Sequence, residues 1–398
     1  VNQMEYQHVV IDQYARGLSP NIPAFAQYDS QVNVDVSLEF SQSAFRFGHS
    51  QLRETIDILD PNGSLTALVT HYALEQAFLD PIGYAKVGPA AVALGMSRQV
   101  ANEIDEFVTP ALQQKLLGQA QDLPAINIAR GRDLGLPTLN ELRRQLSGSF
   151  ATRVADLQAQ LAASPFDTNL QKLVDQSQLI AASLTPYSNW NDYSQNIQHP
   201  DSTVDFIAAY SFDGNINKAE LIWRLSNGGV LTAADDPTLA ALGWTAANAA
   251  LNAGTFMLTD QGFEKIDGWI GGLAETHVTF GQLGPVFDAI FSDQMIRLIN
   301  GDRFYYFWRL REGNPIFTTL SSAVATNDGR QRSDLTRNRC TGKDRELSIK
   351  RDDAVEIKRQ TAWNGGGAHE SLNSSSTNSS AARSTTWRTR STTNSRGR

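Results

Sequence analysis

LEFSQSAFRFGHSQLRETI, Leu38 to Ile56, is the stretch on which the reading of this chain turns. Leu38, Phe45 and Leu52 fall at seven-residue spacing, and Ala44, Gly48 and Ile56 fill the same stripe, which is the pattern of a helix with one apolar face. His49 lies on that stripe, with Arg46 one turn earlier on a neighbouring face. An imidazole in such a setting is more often a hydrogen-bonded core histidine than a ligand, so the pattern alone leaves both readings open.

A second informative stretch is DLPAINIARGRDLGLPTLNELRR, Asp122 to Arg144. Its apolar start, the cationic pair Arg130 and Arg132, and then Asp133, Gly135 and Pro137 describe a turned segment that cannot be one uninterrupted helix. Asn127 precedes the turn and is the type of side chain that orients a buried imidazole through its other ring nitrogen, although a capped loop explains the segment equally well.

Around these stretches the periodicity is mostly helical and strand-like alternation is scarce. The clusters Asp60 to Gly63, Asp213 to Asn215 and Ser226 to Gly229 read as connecting turns, and there is no internal repeat. With 398 residues, 41% of them hydrophobic, the chain can bury one large core or two ordinary ones. The lone Cys340 cannot close an internal disulfide and there is no thiol cluster, so a metal must be held by His, Asp or Glu. A net charge of −8 argues against a nucleic-acid partner. No apolar run reaches the roughly 18–20 residues of a membrane span, and the most apolar stretch, Pro89 to Met96, is interrupted by Gly95.

Composition changes after about Leu320. Ser321 to Arg398 holds 15 Lys and Arg against 8 Asp and Glu, a net of +7 that leaves −15 upstream. Beyond Trp363 the chain is almost entirely Ser, Thr, Asn, Gly and Arg, too poor in apolar residues to offset the entropy of ordering. The expected organisation is one domain over 1–320 and a disordered tail over 321–398, either a solvated native segment or an altered reading frame.

Of the six histidines, at 8, 49, 71, 199, 277 and 369, no two have the HExxH spacing of a zinc hydrolase. His71, His199 and His277 have no supporting pattern, and His369 lies in the tail. His8 reads as an ordinary surface or core histidine.

SAFRFGHS, Ser43 to Ser50, resembles the proximal-helix signature of the animal haem peroxidases, and DLPAINIARGRDLGLPTLNELRR resembles the family's second signature. KIDGWIGGLAE, Lys265 to Glu275, and LGPVFDAIFSDQMIRLINGDRFYY, Leu283 to Tyr306, resemble a third and a fourth, in the family's order. The similarity runs from about Met4 to Leu320. It implies a mainly α, large and irregular helical domain with haem iron as cofactor. His49 matches the axial iron ligand, Asn127 the asparagine that hydrogen-bonds it, and Arg46 and Arg130 arginines near the haem propionates. The implied reaction is reduction of hydrogen peroxide with oxidation of a halide or small organic donor, in an extracellular or secreted protein.

Two departures matter. Leu134 stands where many relatives have His, its packing role being one that leucine can meet. The family's distal histidine, catalytic arginine, calcium site and haem-esterifying carboxylates precede the proximal helix by more residues than Val1 allows. The chain therefore reads as an N-terminally incomplete domain with no catalytic residue identified in it, calcium belonging to the full-length domain. Two other readings compete. A fatty-acid oxygenase of the same superfamily carries a tyrosine three residues before the proximal histidine, where this chain has Arg46. A noncatalytic haem-binding or structural module would keep all four signatures.

Overall fold

The computed structural model describes residues 6–23, 25, 28–60, 68–114 and 120–305, and within them helices dominate, in agreement with the expected mainly α class. The expected tail, 321–398, and part of the Asp60 to Gly63 turn lie outside the described residues. The principal helices, the first of them wound as a π-helix, are α1 (Tyr6–Ala15), α2 (Leu38–Gln42), α3 (Gly48–Gln51), α4 (Pro89–Arg98), α5 (Leu123–Asp133) and α6 (Leu139–Ala163). They continue with α7 (Thr168–Ser183), α8 (Trp190–Gln195), α9 (Thr203–Ser211), α10 (Ile216–Ser226), α11 (Ala249–Thr259), α12 (Gly268–Ala274) and α13 (Pro285–Gly301). Among the described residues no helix is long and apolar enough to cross a membrane.

The stretch from Leu38 to Ile56 is not one helix. Ser43, at φ −129° and ψ −80°, breaks α2, and a tight turn over Ala44–Phe47 re-aims the chain before α3. Phe45 is 55% exposed, stacked on Phe40 at 5.0 Å rather than buried in the core. Ile56 belongs to strand β1 (Thr55–Leu59), antiparallel to β2 (Leu68–Ala73). The seven-residue spacing thus spans three conformations. TIDIL carries the β-branched alternation of a strand and finds a pairing partner, and a paired strand outweighs a weak helical period.

The Asp122 to Arg144 segment turns as its composition requires. Asp122 caps α5, accepting a bond from the Ala125 N–H at 3.0 Å, and Pro124 sits in the first turn where its missing N–H costs nothing. Gly135, at φ +76°, reverses the chain, and Thr138 caps α6. Leu139 N–H then donates to Ile266 O at 2.8 Å, tying this turn to the start of α12. Leu134, at the end of α5, is 53% exposed, so leucine does not take over a packing role there.

The core runs under α6 to α13. Trp190, Trp269, Tyr193, Phe206 and Phe287 are its largest fully buried side chains. α12 is so tightly enclosed that a Cβ on Gly272 would lie 2.2 Å from Phe287 Cε1. A buried ion pair fixes its end: Arg143 donates to Glu275 Oε1, which also accepts from Tyr187 OH at 3.0 Å, while Glu275 Oε2 accepts from Val286 N–H at 2.9 Å. The turns at Asp213–Asn215 and Ser226–Gly229 fall where expected, with Gly214 and Gly228 at positive φ.

Candidate functional site

Three separated segments meet at His49: the turn leading into α3, the middle of α5, and the first half of α12. The turn is held by Arg46, whose Nε donates to Ser41 O at 3.2 Å and whose Nη2 donates to Gln42 Oε1 at 2.5 Å. Its Nη1 donates to Asn127 Oδ1 on α5. From α12 the Trp269 indole reaches in, its Nε1 donating to Arg46 O at 3.4 Å and its ring meeting His49 edge-on at 6.3 Å between centroids.

Asn127 is buried, and its Nδ2 lies 2.7 Å from His49 Nδ1. With Oδ1 engaged by Arg46, the amide N–H donates to Nδ1, which places the ring proton on Nε2. Among the described residues Nε2 has no hydrogen-bond partner. Burial and then the neighbouring charge of Arg46 lower the His49 pKa to about 4, so the ring is neutral at ordinary pH and able to coordinate a metal. Coordination through Nε2 needs the other tautomer, with the proton on Nδ1 and the Asn127 amide turned to offer Oδ1.

The cationic side of the site is unusual. Burial, and then the charge of Arg130, press the Arg46 pKa below its normal value. Neither Arg46 nor Arg130 forms an ion pair among the described residues, and the acceptors around Arg46 are all neutral. Arg132, by contrast, is bidentate to Asp267 at 2.6 and 2.8 Å, and Arg144 to Glu264 at 2.5 and 2.7 Å. An open imidazole nitrogen beside two cations without carboxylate partners is a donor set that fits a metal carried in an anionic organic frame.

The structure therefore brings His49, Arg46 and Asn127 together, whereas Arg130, exposed three residues beyond Asn127 on α5, reaches the group only through its charge on Arg46. Sequence reasoning missed Trp269 and Gln42; the signal for Trp269 was present in KIDGWIGGLAE, but nothing in its spacing pointed at His49. The other described histidines have separate partners: His8 Nδ1 meets Asp12 at 3.2 Å, His71 Nδ1 meets Asp57 at 2.8 Å, His199 Nδ1 meets Glu106 at 3.3 Å, and His277 Nε2 meets Ile104 O at 2.8 Å. A cavity of about 250 Å³ bordered by Leu142, Phe150, Arg153 and Ile290 includes none of the site residues in its lining.

A family model described as animal haem peroxidase matches residues 2–180 and 256–320. Peroxinectin A of Dictyostelium discoideum is 23% identical over 306 residues, 76% of this chain and 40% of that protein. Thyroid peroxidase of Sus scrofa is 24% identical over 304 residues, 73% of this chain and 23% of that protein. The chain thus spans well under half the length of these curated relatives. Among solved structures, peroxidase A of Dictyostelium discoideum aligns with a TM-score of 0.45 and 22% identity, covering 76% of this chain and 42% of the other. A fatty acid alpha-dioxygenase of Oryza sativa aligns at 0.36 and 17%, covering 68% and 32%.

Proposed function

We propose, from the premise that this chain belongs to the animal haem peroxidase family, that it forms the haem-holding side of an enzyme that reduces hydrogen peroxide while oxidising a halide or small organic donor. The observation that carries this reading is the His49 cluster: a neutral imidazole whose Nε2 has no hydrogen-bond partner among the described residues, held by Asn127 and standing beside Arg46, which has no carboxylate partner there. The domain proposed for this role spans 1–320, with 321–398 a separate segment, and the proposed setting of the complete protein is extracellular.

Haem iron, when bound, supplies the electron-transfer chemistry that peroxide reduction needs. His49 would hold the metal through Nε2, and Asn127 Oδ1 would then accept a hydrogen bond from Nδ1–H, fixing the plane of the ring. Arg46, released from Asn127 by that amide reversal, would be free to pair with a propionate carboxylate, and Arg130 would add a second positive charge for the anionic group. Trp269 closes the site from the core side and keeps water from the imidazole.

The test is to load the complete protein with haemin and follow peroxide-dependent oxidation of iodide and of a phenolic donor, beside the His49→Ala variant. Turnover that is lost with His49→Ala, together with loss of the imidazole-type iron EPR spectrum, is the expected result. Tight haem binding without turnover would favour a noncatalytic module. An unchanged EPR spectrum in His49→Ala would assign the ligand elsewhere.

A further inference from the structure

Away from His49, the loop between α4 and α5 carries Glu103, Asp105 and Glu106, and faces His199 in the segment between α8 and α9. Donor atoms of Glu103, Asp105 and His199 all lie within 4.8 Å of one another. Glu106 presses against the same imidazole, with both carboxylate oxygens 3.3 Å from His199 Nδ1. Its side chain is only 6% exposed, and its Oε1 accepts no hydrogen bond among the described residues. A nearly buried carboxylate whose Oε1 accepts no hydrogen bond, set against an imidazole that two further carboxylates approach, is a concentration of negative charge that a cation completes.

The loop is held in place from outside the cluster. Ile104 O accepts from both Gln198 Nε2 and His277 Nε2 at 2.8 Å, which pins the backbone between the acidic residues. Phe107 N–H donates to Asp105 Oδ1 at 3.0 Å, and the Phe107 ring meets His199 at 5.1 Å, limiting the ring's rotation. Burial, with the charges of Glu106 and Glu103 adding to it, pushes the Asp105 carboxyl up to about 6; His199 and the Phe107 bond oppose this but do not prevail. Glu103 is exposed and His199 is partly so, which leaves the group open to an ion from solvent.

We propose that Glu103, Asp105 and His199 bind a divalent transition cation of the Zn²⁺ or Mn²⁺ class, with Glu106 fixing the His199 ring. An imidazole among carboxylates is the donor set of those ions, whereas Ca²⁺ and Mg²⁺ favour all-oxygen shells. Donors on one tetrahedral Zn²⁺ at about 2.0–2.1 Å stand roughly 3.3–3.4 Å apart, so the three need close by at most about 1.5 Å. Glu103, the exposed member, has the rotamer freedom to do most of that. Glu106 plays the part of the carboxylate that typically backs a metal-bound histidine. By tying the α4–α5 loop to the segment before α9, the ion would clamp two stretches almost a hundred residues apart in sequence.

The experiment titrates the full chain, stripped with EDTA and free of haem, with ZnCl₂ by calorimetry. Wild type is expected to take up one equivalent per chain. Asp105→Asn and His199→Ala should each weaken binding at least about tenfold, and the exposed Glu103→Gln, which carries no risk to folding, by a smaller factor in the same direction. His49→Ala should bind as wild type does. Absence of binding to wild type, or unchanged binding in the Asp105→Asn/His199→Ala double variant with a native circular dichroism spectrum, would overturn the proposal. Displacement of Zn²⁺ by an equal concentration of CaCl₂ would overturn the assigned class of ion.

Discussion

Replacing Asn127 by leucine keeps the volume of a buried α5 side chain while removing both of its polar contacts, the acceptor for Arg46 Nη1 and the donor to His49 Nδ1. A bond to a charged donor contributes about 1.5–3 kcal/mol and a neutral one about 1 kcal/mol. Arg46 keeps Ser41 O and Gln42 Oε1, so it is not left wholly unsatisfied. The iron-free chain should therefore lose about 2–3 kcal/mol of stability, read as a lower urea midpoint at unchanged m-value. Loss of the residue that orients a metal-bound histidine typically costs 10–100-fold in affinity, about 1.4–2.7 kcal/mol. A haemin titration followed by absorbance should show that weakening in Asn127→Leu and a larger one in His49→Ala. If Asn127→Leu bound haemin within about twofold of wild type, with the same EPR spectrum, the hydrogen bond to His49 would have no functional weight and the orientation argument would fail.

In the iron-free chain, NMR of the His49 ring should show a titration midpoint near 4, moving up but not fully to the ordinary value in Arg46→Gln, because burial is the larger cause. A folded pKa below the unfolded one means that the unfolded chain binds the proton more readily. The His49 contribution is thus fully present above about pH 6.5 and is lost as pH falls from there through 4, by at most about 3 kcal/mol; a midpoint near 6.5 would contradict the buried setting. Glu275→Leu should destabilise by about 3–5 kcal/mol in urea, because it leaves Arg143 buried without its carboxylate. Gly272→Ala should cost about 1–3 kcal/mol, since its Cβ would press on the Phe287 ring; unchanged denaturation midpoints would refute either account.

How much of this was legible in the sequence depends on the range of the interaction involved. The helical class and the turn after Arg132 follow from local chemistry, namely an Asp cap, a first-turn proline and a glycine at positive φ. The break at Ser43 was not legible, because the seven-residue stripe runs straight through it and only the pairing of TIDIL with LVTHYA takes the following residues out of the helix. Phe45 and Leu134 show the same limit: apolar identity does not reveal burial when the backbone turns outward. In the site, His49, Arg46, Asn127 and Arg130 could be named from signature segments, whereas Trp269 against His49 and His199 against Glu106 are contacts between distant segments that no spacing encodes.

The arginines show why composition cannot separate scaffold from site. SAFRFGHS and DLPAINIARGRDLGLPTLNELRR hold five of them, alike in sequence. Three are consumed by carboxylates: Arg132 by Asp267, Arg143 by Glu275 and Arg144 by Glu264. Those pairs latch α5 and α6 to the 264–275 segment, and thereby set Trp269 against the turn that carries His49. Arg46 and Arg130 have no such partner among the described residues, and burial, with the charge of Arg130 adding to it, depresses the Arg46 pKa. Like charges held together without a counter-ion raise the free energy of the empty site, and an anionic ligand bound there would lower it. The same latch that stabilises the fold thus leaves Arg46 and His49 joined through Asn127 with no carboxylate to neutralise the cation, which is the part of the site where an anionic ligand has most to gain.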